Sequence, residues 1–443
     1  MKIRLSDHFT YSRLLRFTLP SVVMMIFTSI YGVVDGFFVS NYAGSTQFAA
    51  VNFIMPFLMV FGAVGFMVGA GGSALVSMKL GQQQKDKANE IFSLLIYALT
   101  SVGAVFTLLG IALMRPVAQA LGADADMLGY CVTYGRIIML ALVPFMLQNV
   151  FQSFFVTAER PHFGLYVTIA AGVSNMVLDW FFLAVLHKGV AGAAAATAIS
   201  QCIGGIIPLI YFISPNSSDL RLGKTHFDGK ALAKTCTNGS SEFMTNVSMS
   251  LVNMLYNYQL MRLTGKNGVS AYGVIMYVSF IFVGMYVGYS IGTAPVTGYH
   301  YGAKNHDELK SILRKSLRII GTAALVIAMI AQLAAPLLAK IFVGYDPELY
   351  AMTEQAFRIY SLSFLLSGFN IYASSFFTAL NNGLISALIS FGRTLVFQIF
   401  SVLLLPAIFG LTGVWCAIVV AEALALVLSA TCLIKLRGRY HYA

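Results

Sequence analysis

The sequence predicts an all-α polytopic membrane protein with twelve transmembrane helices, arranged as two six-helix bundles in tandem. Three observations lead there. Of 443 residues, 58% are hydrophobic and only 10% charged, with mean hydropathy +0.78, whereas a soluble chain carries roughly a quarter charged residues. Apolar runs long enough to cross a hydrocarbon core of about 30 Å recur between short polar breaks. The chain also repeats itself at a nearly constant offset. These features exclude a soluble enzyme, a disulfide scaffold and a disordered chain.

Read between polar breaks, the first six spans are 17–39, 48–77, 91–114, 132–156, 163–186 and 189–213. The second six are 239–261, 268–298, 317–339, 356–379, 384–406 and 411–434. The second and eighth exceed what the bilayer needs, so they are expected to tilt or project. The first is longer than the core of a signal peptide, contains Asp35 and opens the repeat, so it is expected to be retained. With the N-terminus inside, 21 Lys and Arg residues fall on the inner side and seven outside. That asymmetry predicts a plasma (inner) membrane protein with both termini cytoplasmic. The net charge of +11 is spread over these short connections, so no nucleic acid partner is expected. The five cysteines form no CxxC pair, and neither a disulfide framework nor a zinc site is expected.

The repeat is read residue by residue. Met78-Lys79-Leu80-Gly81 precedes Tyr299-His300-Tyr301-Gly302 by 221 positions, and Gly189-Val190-Ala191-Gly192 precedes Gly410-Leu411-Thr412-Gly413 by the same interval. Arg136-Ile137 and Phe154-Phe155 return 222 positions later as Arg358-Ile359 and Phe376-Phe377. Six spans per copy make a parallel repeat about an axis along the membrane normal. The expected division is a bundle over 1–213, a polar linker over 214–238 and a second bundle over 239–443.

Ionisable groups at membrane depth are costly and are functional candidates. The candidates are Asp35 in the first span, Asp179 in the fifth, Glu242 at the start of the seventh and Glu422 in the twelfth. Asn175 lies one turn before Asp179 on the same face. Their oxygens suit a hard cation such as sodium, and burial equally lets a carboxylate hold a proton. Thr197 adds a hydroxyl if the fifth and sixth spans pack together. The alternative reading of this set is a polar knot that fixes helix packing. At offset 221, Asp35, Asn175 and Asp179 map to Tyr256, Val396 and Phe400, so the acidic pair is confined to the first bundle. Glu242, Asn246, Asn253, Tyr256 and Asn257 give the seventh span a polar face that either lines a substrate cavity or joins helices. Glu422 maps to Gln201, which points to packing. Pro20 shares the first span with Asp35 and is the candidate hinge. Arg136, Arg262, Arg358 and Arg393 are read as lying near helix ends, Arg393 in a connection over 380–393.

No catalytic motif is found: all seven histidines fall in loops, tails or helix edges, and there is no HExxH, GxSxG, phosphate-binding or dinucleotide-binding glycine pattern. An enzyme is not expected, and an intramembrane enzyme is the remote alternative.

At this point the sequence resembles the multidrug and toxic compound extrusion (MATE) family of secondary transporters over essentially its whole length. The resemblance rests on twice six helices, the Val33-Val34-Asp35-Gly36-Phe37-Phe38-Val39 segment, the long second and eighth spans, and the GxxG openings of the sixth and twelfth. It implies a V-shaped pair of bundles around a central cavity, exporting organic cations or amphipathic drugs by antiport with sodium ions or protons. No cofactor beyond that coupling ion is expected, and the protein is expected to be a monomer in contact with lipid. In the bacterial branches with an N-terminal cation site, the family pattern falls on Asp35, Asn175, Asp179 and Thr197, and its bending proline on Pro20. Another branch also uses acids in helices 7, 8 and 10. Glu242 matches the first of these, while the other two helices offer Tyr, Asn and Ser. The alternative transporter is a lipid-linked oligosaccharide flippase, which favours deep Arg or Lys to hold diphosphate.

Overall fold

The structure is a computed structural model that describes residues 3–442; residues 1, 2 and 443, at the ends of the two expected bundles, lie outside them. The described residues form helices and no strands. In the first half these are α1 (Tyr11–Tyr42), α2 (Ser45–Gly81), α3 (Lys85–Leu121), α4 (Ala125–Leu140), α5 (Leu142–Thr157), α6 (Pro161–Asp179) and α7 (Gly189–Ile213). The second half holds α8 (Gly229–Thr264), α9 (Lys266–Gly302), α10 (His306–Val343), α11 (Pro347–Ser361), α12 (Phe364–Ala379), α13 (Gly383–Phe391) and α14 (Phe397–Tyr440). A π-helical stretch, Trp180–Val185, continues α6, and another, Gly392–Val396, joins α13 to α14.

Eight of these helical stretches are long and apolar enough to cross a membrane, and two bent pairs raise the number to ten. The pairs are α4 with α5, bent by 55°, and α11 with α12, bent by 46°. Pro144 explains the first bend: its ring opposes the carbonyl four residues back, on Leu140, where α4 ends. The stretch Gly383–Tyr440 counts once by length, yet Gly410 breaks it with φ 57 and ψ −136, a conformation open essentially to glycine alone. It therefore supplies two spans. Gly189, its counterpart in the first repeat, has φ 58 and opens α7. The remaining span is α8, 36 residues long. Two of its polar side chains reach across the bundle: Asn238 Nδ2 donates to Asn381 Oδ1 at 2.6 Å and Gln259 Nε2 to the Val402 carbonyl at 3.2 Å. Twelve spans result, six in each half.

Each half has its own core. In the first, Phe92, Phe151, Phe154, Phe155 and Phe212 pack ring against ring. The second is centred on Tyr286, Tyr289, Phe364, Tyr372 and Phe376. A third, smaller cluster of Leu5, Phe9, Leu14, Phe17, Val156, Val296 and Ile312 joins the halves at the end carrying both termini. Across the halves, α1 packs on α9 and α2 on α8. Residues 214–228 run without regular helix, tied to α3 through Lys85–Asp219 at 3.0 Å and the Arg221 amide on Asn89 Oδ1 at 2.7 Å. Asp228 then caps α8 by accepting from the Ala231 amide, so residues 229–238 of the predicted linker are helical.

Candidate functional site

Three elements of the first half converge on one polar point. α1 contributes Asp35, α6 contributes Asn175 and Asp179 one turn apart, and α7 contributes Thr197; α6 packs against both neighbours. Asp179 is fully buried and Asn175 nearly so, while Asp35 and Thr197 are half-buried. The Asp35 carboxylate faces Asp179, Asn175 and Thr197, and Asn175 Nδ2 approaches Thr197 Oγ1 at 3.5 Å. The structure thus brings together all four residues singled out from the sequence.

What distinguishes the site is its unmet acceptors. Both oxygens of Asp179, Oδ1 of Asp35 and Oδ1 of Asn175 are buried without a donor. Buried polar atoms are nearly always paired, and two carboxylates in contact are both acceptors unless a proton or a metal cation joins them. Two carboxylates, an amide oxygen and a hydroxyl are the hard oxygen donors an alkali cation prefers, and they equally serve a shared proton. Thr197 and Gln201 also border a cavity of about 10 Å³ walled by Met55, Met59, Leu142 and Phe145, about the room one water needs. The π-helical turn beginning at Trp180 follows Asp179 directly; such turns are frequent at functional sites.

Several neighbours were missed from the sequence. Tyr134 is buried and faces both aspartates. Tyr31 faces Asp35 and Gln148. Tyr277 of α9 faces Asp35 from the second half, its hydroxyl 3.7 Å from where a Cβ on Gly36 would lie. Tyrosine is so common in these apolar runs that spacing alone did not mark them.

The polar face expected on the seventh span is divided. Glu242 is half-buried and faces Arg393, and Asn246 Nδ2 donates to the Glu242 carbonyl of its own helix at 2.8 Å. Asn253 Oδ1 accepts from Tyr272 at 2.8 Å, and Tyr256 is buried, its ring stacked on Tyr272 with centroids 4.9 Å apart. Asn257 is exposed. These five residues do not form one continuous lining.

Arg393 requires a correction. Asn382 caps α13 by accepting from the Ile385 amide, so the helix starts at Gly383 and the preceding connection is 380–382. Arg393 therefore lies well inside its span, not near a helix end. Its Nε donates to Glu422 Oε1 at 2.8 Å and Oε2 at 3.0 Å. Asn370 Nδ2 adds a bond to Oε2 at 2.8 Å, and Ser429 Oγ donates to Asn370 Oδ1 at 2.9 Å. Glu422 thus has donors on both carboxylate oxygens.

Comparison with known proteins agrees with this architecture. The MatE family profile matches residues 20–181 and 243–404, one stretch in each half. Multidrug export protein MepA of Staphylococcus haemolyticus (strain JCSC1435) is 24% identical over 435 residues, covering 97% of this chain and 94% of that protein. The protein of the same name from Staphylococcus aureus (strain MRSA252) is 22% identical over 445 residues, with the same shares covered. A solved structure described as the outward-facing conformation of a multidrug resistance MATE family transporter of the MOP superfamily superposes with a TM-score of 0.90. It is 21% identical, with 98% of this chain and 96% of that chain covered. At that identity the likeness is one of fold.

Proposed function

The chain belongs to the MatE family, and from that premise we propose that it is a secondary active multidrug exporter driven by cation antiport through Asp35, Asn175, Asp179 and Thr197. The observation that carries the coupling site is the cluster of buried oxygens on Asp35, Asn175 and Asp179 that have no donor. Two bare carboxylates in a dry bundle cost several kcal/mol per ion even after relaxation, so the site favours taking up a sodium ion or a proton. Its substrates are lipophilic cations or amphipathic drugs, as the name of the MepA relatives suggests, with Glu242 the acid available to meet a positive group. A flippase would need a deep, free Arg or Lys to hold diphosphate, and the deep Arg393 is paired with Glu422.

In this reading, loading the N-terminal site neutralises it, α1 bends near Pro20, and drug binding weakens, so cation entry and drug release are linked. Linkage is reciprocal: a cation that weakens drug binding is itself weakened by drug. The protein acts as a monomer in the plasma (inner) membrane with both termini cytoplasmic. The test is efflux of ethidium from proteoliposomes with sodium and proton gradients imposed separately. Wild type should couple to at least one gradient, while Asp35→Asn and Asp179→Asn should each lose most coupled transport and still insert normally. Full gradient-driven efflux in both variants would remove the N-terminal site from the mechanism and leave Glu242 as the leading candidate.

A further inference from the structure

The two halves treat their buried acids in opposite ways. In the first, Asp35 and Asp179 meet with no basic residue between them and with oxygens unpaired. In the second, Glu422 is almost wholly buried and its carboxylate accepts from Arg393 Nε and Asn370 Nδ2. The repeat makes the contrast sharper. At offset 221, Arg393 corresponds to Gly172 and Glu422 to Gln201. Gly172 has no side chain to offer, and its space is filled by the rings of Phe27 and Tyr31. Each fifth span carries its charged residue beside a π-helical turn: Asp179 just before Trp180–Val185, and Arg393 within Gly392–Val396. The charged and titratable groups facing the pair are Glu242 and Tyr256 of α8 and Tyr360 of α11. A guanidinium keeps its proton throughout the accessible pH range. It therefore supplies one positive charge that never leaves.

We propose that Arg393 is a tethered counter-cation that permanently fills the acidic site of the C-terminal half, which confines the exchangeable cation to the N-terminal half. This rests on the coupling role given above to Asp35 and Asp179. Arg393 is a positioning residue in this scheme: it sets how many cations the transporter exchanges, without touching the one that moves.

The experiment counts cations bound per transporter on purified full-length protein, by radioactive-sodium binding and, without sodium, by proton titration. Arg393→Met leaves the buried Glu422 carboxylate with the Asn370 Nδ2 donor and no resident charge, so it should take up one additional sodium ion or proton. The extra cation should vanish in Arg393→Met/Glu422→Gln, where both charges are removed at similar volume and the count should equal that of wild type. Properly folded Arg393→Met that gains no cation would overturn the proposal. So would a double variant that binds fewer cations than wild type, because Glu422 would then be an exchangeable ligand beside its arginine. Should Arg393→Met fail to fold, the double variant decides alone. Failure of the N-terminal site reads out elsewhere: Asp35→Asn and Asp179→Asn would keep the wild-type count, whatever Arg393→Met does.

Discussion

On the coupling role proposed above, Asn175 and Thr197 contribute unequally to the cation site. Asn175 Oδ1 is buried and unpaired, whereas Thr197 Oγ1 has only a long contact, 3.5 Å from Asn175 Nδ2, beyond the usual hydrogen-bond range. Losing an oxygen that faces a charge costs about 1.5–3 kcal/mol, while an ordinary hydrogen bond is worth about 1 kcal/mol. Asn175→Ala should therefore weaken cation affinity roughly 10- to 150-fold and Thr197→Ala about fivefold, read as the cation concentration that half-displaces bound drug. A larger effect at Thr197 than at Asn175 would reverse these roles. The acids were legible in the sequence because an ionised side chain in an apolar run needs a reason. Their orphaned oxygens were not, since pairing is a property of three helices meeting. Arg393 was misplaced for a related reason: its distance from a helix end depends on the Asn382 cap, and only packing brings it to Glu422, 29 residues along the chain.

Helices show where patterning suffices and where it does not. Length and apolarity located the spans, and the repeat divided them six and six. The bend at Ala141 and the early start of α8 required particular contacts, Pro144 against Leu140 and Asp228 capping Ala231, and the two π-helical turns left no mark in the apolar spacing. The repeated MKLG and YHYG segments have a structural meaning that spacing alone did not disclose. A methyl group on Gly81 would strike the Tyr299 carbonyl, and one on Gly302 would strike the Met78 carbonyl, each the other's counterpart at offset 221. The ends of α2 and α9 thus seal against each other through reciprocal glycine-to-backbone contacts, and a backbone carbonyl has no rotamer with which to yield. Overpacking costs about 1–3 kcal/mol, enough to move a closed-to-open ratio roughly 5- to 150-fold. Gly302→Ala should therefore make a cysteine replacing the buried Ser77, which lies against Gly298, react faster with a bulky maleimide in a cysteine-free background. An unchanged rate would mean that this seam does not open during the cycle.

At the scale of the molecule, one end is shut by more than glycines. Residues 3–10 cross from half to half: the Leu5 amide donates to Glu159 Oε1 at 2.8 Å, and the Phe9 amide to Glu308 Oε1 at 2.8 Å. His8 Nδ1 meets Glu308 Oε2 at 2.6 Å, and Lys315 donates to the Phe9 carbonyl. Phe9 itself is wholly buried. The polar connections 82–84, 158–160, 214–228, 303–305 and 380–382 belong to this same end, because each follows an even number of spans. Moving Arg393 into its span leaves 19 Lys and Arg among the described residues on this side against seven on the opposite side. On the orientation proposed above, which that excess favours, the sealed end is cytoplasmic and this conformation is closed to the compartment from which an exporter loads its drug. In cells, a cysteine at the exposed position 304 should then be labelled only after the membrane is permeabilised, and one at the exposed position 188 by an impermeant maleimide added outside. The background must lack the native cysteines, above all the exposed Cys236. Labelling of position 304 from outside would invert the molecule, make the sealed end extracellular, and turn the structure into the drug-loading state.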